Sequence, residues 1–323
     1  MIGLQKFRTP LLLVATACLT STSYATAHAG PPTPPAHGKA AVSKNSALTY
    51  WTPQRMQAAE KTEGSPKKSG QAPALQSSGL TPTATQFLSN ETPGGPPVPL
   101  ALQSPPNPVF GKIFYTKNGE EKACSGTALA SANQSTVWTA AHCIVGTRPD
   151  DAIANLIFVP GYSNGDDGRA QEPWGRFAMK TWNINPAYLQ PAFEGAYDTK
   201  YDYGAFSVHP QSDGATLTQR VGGVGFTYSQ PDEQPTAQVT GYPGVKYDGV
   251  NQYTCADPTY SYGSWVANNC ITQSGSSGSG ITININGGTY LFSNVTGGDA
   301  QTYAAYPRLD ENAYNVYKKT QNE

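Results

Sequence analysis

Thr139-Ala140-Ala141-His142-Cys143 sets a histidine at the end of a β-branched, apolar run, Ser135 to Trp138, and beside a cysteine. An imidazole takes and returns a proton near neutrality at its ordinary pKa, so His142 is a candidate general base. Such a base needs a nucleophile to deprotonate and a carboxylate to orient it. Asp202, in Lys200-Tyr201-Asp202-Tyr203-Gly204-Ala205, stands 60 residues after His142 at the mouth of a strand-like run. Gly275-Ser276-Ser277-Gly278-Ser279-Gly280 brings three serines about 75 residues further on. Each piece alone has a duller reading: a satisfied structural histidine, an aspartate in a surface turn, a flexible Ser/Gly loop. Asp198 rivals Asp202, although no strand follows it. Their conjunction, in the order His, Asp, Ser, points to acyl transfer.

The elements that must position these residues begin at Val109. Short alternating or β-branched runs cover Phe110 to Thr116, Cys124 to Ala130, Thr136 to Ala141, Ile153 to Val159, Tyr203 to Val208 and Ala237 to Tyr242. Glycine and proline punctuate them, as in an all-β sandwich or barrel. Asn286-Gly287-Gly288 between two further runs reads as a hairpin turn. A terminal helix is expected after Asp310, its N-cap, with Ala313, Val316 and Tyr317 on one face.

Upstream the texture differs. Lys6 and Arg8 precede an apolar stretch from Leu11 to Leu19, and A-x-A sequences end at Ala27 and Ala29, so residues 1–29 read as a secretory signal. That stretch is too short to span a bilayer. Residues 30–108 hold 15 of the 27 prolines and read as a propeptide or linker, mostly disordered. Within it, Tyr50-Trp51-Thr52-Pro53 followed by Gln54 to Ala59 has a helix start, with Thr52 as N-cap and Pro53 at the first position. That helix either docks on the domain or stays marginal. The three sections predict one domain, 109–323, behind a leader.

Beyond the signal, four cysteines remain, Cys124, Cys143, Cys255 and Cys270, an even number suited to an oxidising compartment. Of the three possible pairings the local one is favoured, Cys124 with Cys143 and Cys255 with Cys270. Residues 30–105 carry a net charge of +3 and residues 106–323 −6. Phosphate binding needs clustered cations, so nucleic acid is not an expected partner.

The His, Asp, Ser order on an all-β domain is that of chymotrypsin-like hydrolases, unlike the subtilisin or α/β-hydrolase orders. Through Trp138 to Cys143, Tyr201 to Ala205, Gly275 to Gly280 and Cys124-Ser125-Gly126-Thr127-Ala128, the chain resembles secreted trypsin-like serine peptidases of the chymotrypsin fold. Their bacterial glutamyl-endopeptidase-like branch is the nearest. Trp51-Thr52-Pro53-Gln54-Arg55-Met56 is similar to a pro-region motif of such precursors. The resemblance implies two six-stranded antiparallel barrels with a C-terminal helix, and a secreted, monomeric endopeptidase acting on proteins or peptides without a cofactor. It implies Ser277 as nucleophile, His142 as base and Asp202 as the carboxylate holding its tautomer. Ser276 and Ser279 are rivals, but only Ser277 has a glycine two before and one after. The N–H groups of Gly275 and Ser277 become the oxyanion hole. A non-catalytic binding protein on the same barrels and an esterase are the alternatives.

Three departures bear on regulation and specificity. Ser276 stands where the trypsin branch has an aspartate that pairs with a freed terminal amine, so activation by that ion pair is not expected. Ile271 replaces the acid six residues before the nucleophile, and Val295 replaces the histidine of glutamyl endopeptidases, so the pocket is expected to be uncharged. Substrate is expected along Ser293, Asn294, Val295, Thr296 and Gly297 as an added strand. The acidic loop Tyr162 to Gly168 is a solvated turn before it is a calcium site, and no cluster suggests zinc.

Overall fold

A computed structural model describes residues 34–64, 101–165, 169–191, 197–229, 235–262, 265–299 and 303–323. The expected signal segment lies outside them, as do Asp166, Asp167 and Gly168 of the acidic loop. Before the predicted domain come β1 (Ala36–Lys39), α1 (Lys44–Tyr50), α2 (Pro53–Gly64) and β2 (Ala101–Leu102).

The first barrel is built from β3 (Phe110–Lys117), β4 (Glu120–Leu129), β5 (Thr136–Thr139) and β6 (Ile153–Pro160), with a minor hairpin of β7 (Ser163–Asn164) and β8 (Ala170–Gln171), then β9 (Phe177–Ile184) and β10 (Gly204–Val208). Its order runs β9-β10-β5-β4-β3-β6, and β6 pairs back onto β9, which closes six antiparallel strands. Ile113, Val137, Phe158, Phe177, Ile184 and Phe206 fill it and are fully buried or nearly so. Closure removes the unpaired edges that a sheet otherwise presents.

One edge remains, because β6 reaches only Phe177 and Ala178 of β9. There the leader enters: β1 pairs antiparallel with the rest of β9, from Ala36 opposite Ile184 to Lys39 opposite Thr181. Trp51, Met56 and Ala59 are buried with Phe114, Ile157 and Tyr162. The Trp51 indole donates to the Asn155 carbonyl at 2.6 Å, and Arg176 Nη1 donates to the Trp51 carbonyl at 2.5 Å. Residues 36–60 therefore pack on the domain: the helix expected after Thr52 takes the docked of its two readings, and β1 and α1 are additions to a segment expected to be mostly disordered. The polar composition that suggested disorder conceals one apolar face whose partners lie on β3 and β6.

The second barrel comprises β11 (Gly225–Phe226), β12 (Thr236–Gly241), β13 (Tyr253–Pro258), β14 (Tyr260–Tyr262), β15 (Trp265–Asn268), β16 (Gly280–Ile285), β17 (Gly288–Asn294), β18 (Gly297–Asp299) and β19 (Tyr303–Pro307). Its six main strands fall in two sheets, β17-β16-β12-β13 and β15-β19, facing each other across Val239, Ile281, Phe292, Val295 and Tyr306. The β16-β17 turn has Asn286 and Gly287 both at positive φ, 51° and 83°, as the hairpin reading requires. The terminal helix Glu311–Thr320 is capped by Asp310 through Asn312 N–H and Ala313 N–H, and it buries Ala313 and Val316.

Disulfides join Cys124 to Cys143 and Cys255 to Cys270, as favoured from spacing. The first ties β4 to the short helix His142–Val145. Replacing both Cys124 and Cys143 with alanine is expected to lower the unfolding free energy by about 3 kcal/mol, read from guanidinium titration. The loop after that helix is stapled by Asp151, whose Oδ2 accepts the Thr147 N–H at 2.7 Å and the Arg148 N–H at 3.1 Å. Burial opposes ionisation of Asp151, but Lys117 at 2.7 Å and the Thr147 N–H outweigh it and hold the pKa at about 2. A folded pKa below the unfolded value of about 3.9 stabilises above that range, and the benefit is lost as pH falls through the folded value. The urea midpoint of Asp151→Asn should thus lie below wild type near neutrality and converge on it towards about pH 2. A gap that stays constant over that range would contradict the staple.

Candidate active site

His142 opens its helix directly after β5 and keeps 18% of its side chain exposed, whereas Asp202 is 1% exposed. Asp202 follows a 3₁₀ turn at Thr199–Tyr201 and precedes β10. Its Oδ1 accepts the His142 backbone N–H at 2.8 Å, and its Oδ2 lies 2.7 Å from His142 Nδ1. A carboxylate there places the imidazole proton on Nδ1 and leaves Nε2 to accept. Asp198, the rival, is a turn cap: its Oδ1 accepts the Lys200 N–H at 3.1 Å and its carboxylate pairs with Lys200 Nζ at 3.2 Å.

Two further residues hold Asp202 from the second barrel. The Thr296 hydroxyl donates to its Oδ2. Asn294 Nδ2 donates to its carbonyl at 3.0 Å, while Asn294 Oδ1 accepts the Trp138 indole N–H at 2.8 Å. These roles were missed in the sequence, where Asn294 and Thr296 read as substrate wall. An Asn and a Thr flanking a buried valine just ahead of a Gly-Gly pair were the available signal, but only the fold shows what they face.

The turn at 275–278 packs on the strand end that leads to His142. The Ser277 carbonyl accepts the Ser125 N–H at 2.7 Å, and the Gly278 N–H donates to the Val295 carbonyl at 2.7 Å. Gly278, with φ 77°, has no room for a side chain: an added Cβ would lie 2.0 Å from Thr139 Oγ1 and 2.3 Å from the Ser125 carbonyl. Gly275, with φ 87°, would place one 2.6 Å from the Tyr242 carbonyl. Only glycine fits at both. Ser125 Oγ donates to the Gly275 carbonyl at 2.9 Å and accepts the Tyr242 N–H at 2.9 Å, and the Ser274 carbonyl accepts the Gly244 N–H at 2.6 Å. With those carbonyls tied away, the N–H groups of Gly275 and Ser277 carry no hydrogen bond among the described residues.

Of the three serines, Ser276 and Ser279 are buried and Ser277 is half-buried. Ser276 Oγ accepts the Gln273 N–H at 3.1 Å, so a local turn bond occupies the place where the trypsin branch puts an ion pair. Near Asp202 the Tyr188 phenol donates to the Gly146 carbonyl at 2.7 Å. Burial, then the nearby Asp202 charge, push that phenol far above its ordinary pKa, so it stays a neutral donor.

The expected wall narrows. Ser293 Oγ donates to the Pro307 carbonyl at 2.6 Å, and the Val295 N–H donates to the Ser279 carbonyl at 3.0 Å. Ser293, Asn294 and Val295 are buried, and their inward bonds take them out of reach of a substrate strand. The free edge begins after Thr296, since β18 pairs only with β19 and ends its sheet. Gly297 lies on that edge. Ile271 is half-buried against the second core. One Cys/His cluster occurs among the described residues, Cys124, His142 and Cys143, and the disulfide leaves it no thiolate to offer a metal.

Together these features define a chymotrypsin-fold protein carrying the residue types of a serine hydrolase where its two barrels meet. Bacterial serine proteases share the fold. The protease Anisep from Arthrobacter nicotinovorans matches with a TM-score of 0.59 and 25% identity over 69% of this chain and 99% of its own. A thermostable serine protease, AL20, from an extremophilic microorganism matches at 0.57 and 24%, over 67% and 98%. A Glu endopeptidase matches at 0.55 and 18%, over 71% and 99%. No protein-family model and no curated protein sequence matches the chain.

Thr296→Val keeps the shape and removes the bond to Asp202. It should lower kcat by roughly tenfold, about 1.4 kcal/mol of barrier, with KM little changed. An unchanged kcat would remove Thr296 from the machinery.

Proposed function

We propose that this protein is a secreted serine endopeptidase working through an acyl-enzyme. The observation that carries the reading is the buried Asp202 carboxylate, bonded at once to the backbone and ring of His142, beside a glycine-framed turn with one accessible serine. In the reaction His142 Nε2 takes the Ser277 proton as Oγ attacks the peptide carbonyl. The imidazolium that forms is stabilised by Asp202. The carbonyl oxygen, now negative, is received by the Gly275 and Ser277 N–H groups, where one lost donor typically costs about 10²- to 10³-fold. His142 then returns the proton to the leaving amine, and water repeats the sequence on the ester.

Substrate is taken as an added antiparallel strand on the edge that starts at Gly297. Ile271 supplies no charge for the side chain preceding the cleaved bond, and the buried Val295 brings no imidazole towards it, so size and apolarity govern the choice, worth only about 1–3 kcal/mol per methylene. Export rests on the leader sequence and on the two disulfides, which suit an oxidising compartment. No helix among the described residues is long and apolar enough to cross a membrane.

The test is to label the secreted protein with a fluorophosphonate, with Ser277→Ala as control, and to profile cleavage on a peptide library. Labelling of wild type alone, with cleavage after neutral residues, is the expected outcome. Absence of label in folded protein would favour a non-catalytic binding role, and a dominant Glu, Lys or Arg before the cut would overturn the uncharged pocket. Asp202→Asn should cost about 10⁴-fold in kcat by leaving the imidazole in the wrong tautomer.

A further inference from the structure

Glu60, at the buried end of the described face of α2, is a carboxylate that the reaction does not use. It is 7% exposed, and Lys112 on β3 is 1% exposed. Their charged groups are 3.9 Å apart, and the Tyr162 hydroxyl donates to Glu60 Oε1 at 2.7 Å. Burial, then the Glu60 charge, hold the Tyr162 phenol far above its ordinary pKa, so it too is a neutral donor. Lys112 Nζ lies over the rings of Phe114 and Tyr162, 5.4 and 5.6 Å from their centroids. A buried ammonium of this kind needs an anion, and the leader supplies it.

Lys112 connects that anion to the catalytic corner. Its Nζ also donates to the Gly249 carbonyl. Gly249 closes the segment from Tyr242 through its own N–H, which donates to the Pro243 carbonyl at 3.0 Å, and α2 packs against the one-turn helix Gly244–Asp248 within it. That segment touches the oxyanion turn at three places: the Gly244 N–H on the Ser274 carbonyl, the Tyr242 carbonyl against Gly275, and Ser125 Oγ between the Tyr242 N–H and the Gly275 carbonyl. The strand opposite Lys112 on β4 contributes Ser125 itself.

We propose that residues 36–60 stay bound to the 109–323 body after processing as a retained activating segment, with Glu60 a positioning residue that holds the Gly275–Ser277 turn through Lys112 and the Tyr242–Gly249 segment. The inference rests on the peptidase reading and adds to it a partner and a mode of regulation. Two observations support retention rather than release. β1 covers the part of β9 that β6 leaves open, and Trp51, Met56 and Ala59 are buried in a shared core. The geometry also accounts for Ser276: an oxyanion turn braced from the Tyr242 side by a buried ion pair has no need of one at its own centre. Cleavage anywhere between residues 65 and 100 cuts the chain and leaves this complex intact, since a segment that binds the folded body alone favours it by mass action.

The experiment uses the full chain, secreted with its own processing. Native and denaturing mass spectrometry of the purified product should find a fragment containing residues 36–60 bound to the body, separating only on denaturation. Glu60→Gln, which keeps the shape and removes the anion, should lower kcat on a peptide ester roughly 10- to 100-fold, with KM changed less than about threefold, because fewer molecules hold both oxyanion donors aligned. Where that variant is too unstable to recover, Glu60→Gln with Lys112→Met removes both buried charges and should show the same loss of kcat. Processed protein that lacks residues 36–60 yet labels with fluorophosphonate at the wild-type rate overturns the proposal, as does a variant with wild-type kcat. Wild type that retains the fragment and never labels counts instead against the peptidase reading, and the positioning role falls with it.

Discussion

A carboxylate withdrawn from water must be given donors where it lies, and Asp202 is the point at which the two barrels meet that demand together. His142 reaches it from the first barrel through backbone and ring, and Thr296 and Asn294 reach it from the second. An uncompensated buried charge is costly enough that neither barrel satisfies Asp202 alone. The residue therefore fixes the spacing of the barrels as well as the tautomer of the imidazole. Trp138 extends the arrangement, since its indole orients Asn294 while its ring stacks on Tyr203, 5.9 Å away, at the start of β10. Position and chemistry at this corner are set by one electrostatic requirement.

A second buried charge does comparable work on the opposite flank. Lys112 sits on β3 opposite Ser125, so the same strand pair carries both an ammonium that needs an anion and a hydroxyl that bridges to the Gly275–Ser277 turn. Glycine is forced at 275 and 278 by positive φ and by the closeness of the surrounding backbone, which leaves the turn few ways to bend. Rigidity there depends on what holds Tyr242 to Gly249, a segment with a single turn of helix and no strand of its own. An external brace is the physical complement to a turn whose own central residue, Ser276, makes only a neutral bond.

Residue type and order are what single out the candidate site residues in the sequence. The β-branched run before His142, the strand after Asp202 and the glycines around Ser277 all carry local signals; the structure bonds Asp202 to His142, and the turn that carries Ser277 packs on β4 through Ser125. The hairpin at Asn286-Gly287 was legible for the same reason, because positive φ at both positions is written in the residues themselves. What escaped depends on distant partners. Phe177–Ile184 has Met179, Lys180, Thr181 and Trp182 in its middle and shows no clean alternation, because it is shared among β6, β10 and β1. Asn294 and Thr296 looked like an exposed wall until Trp138 and Asp202 were placed opposite them. In the leader the helix after Thr52 was legible but its partners were not: Met56, Ala59 and Glu60 have helical spacing, but a glutamate reads as a solvent residue unless Lys112 and Tyr162 are known to surround it.

Specificity follows from the same economy of charge. The buried anions Asp202 of the first barrel and Glu60 of the leader are paired with His142 and Lys112, and on the proposed reading Ile271 adds none where a charged substrate side chain would need a counterion. A pocket of that kind separates substrates by small increments of apolar area, whereas an edge strand contributes backbone hydrogen bonds to every extended peptide alike. On the proposed peptidase reading, discrimination must then accumulate over several residues of substrate laid along the edge from Gly297, each adding a modest difference. A peptidase so built would be limited by how well the whole extended segment fits, and the alignment of the Gly275–Ser277 turn would set its rate on all substrates in common.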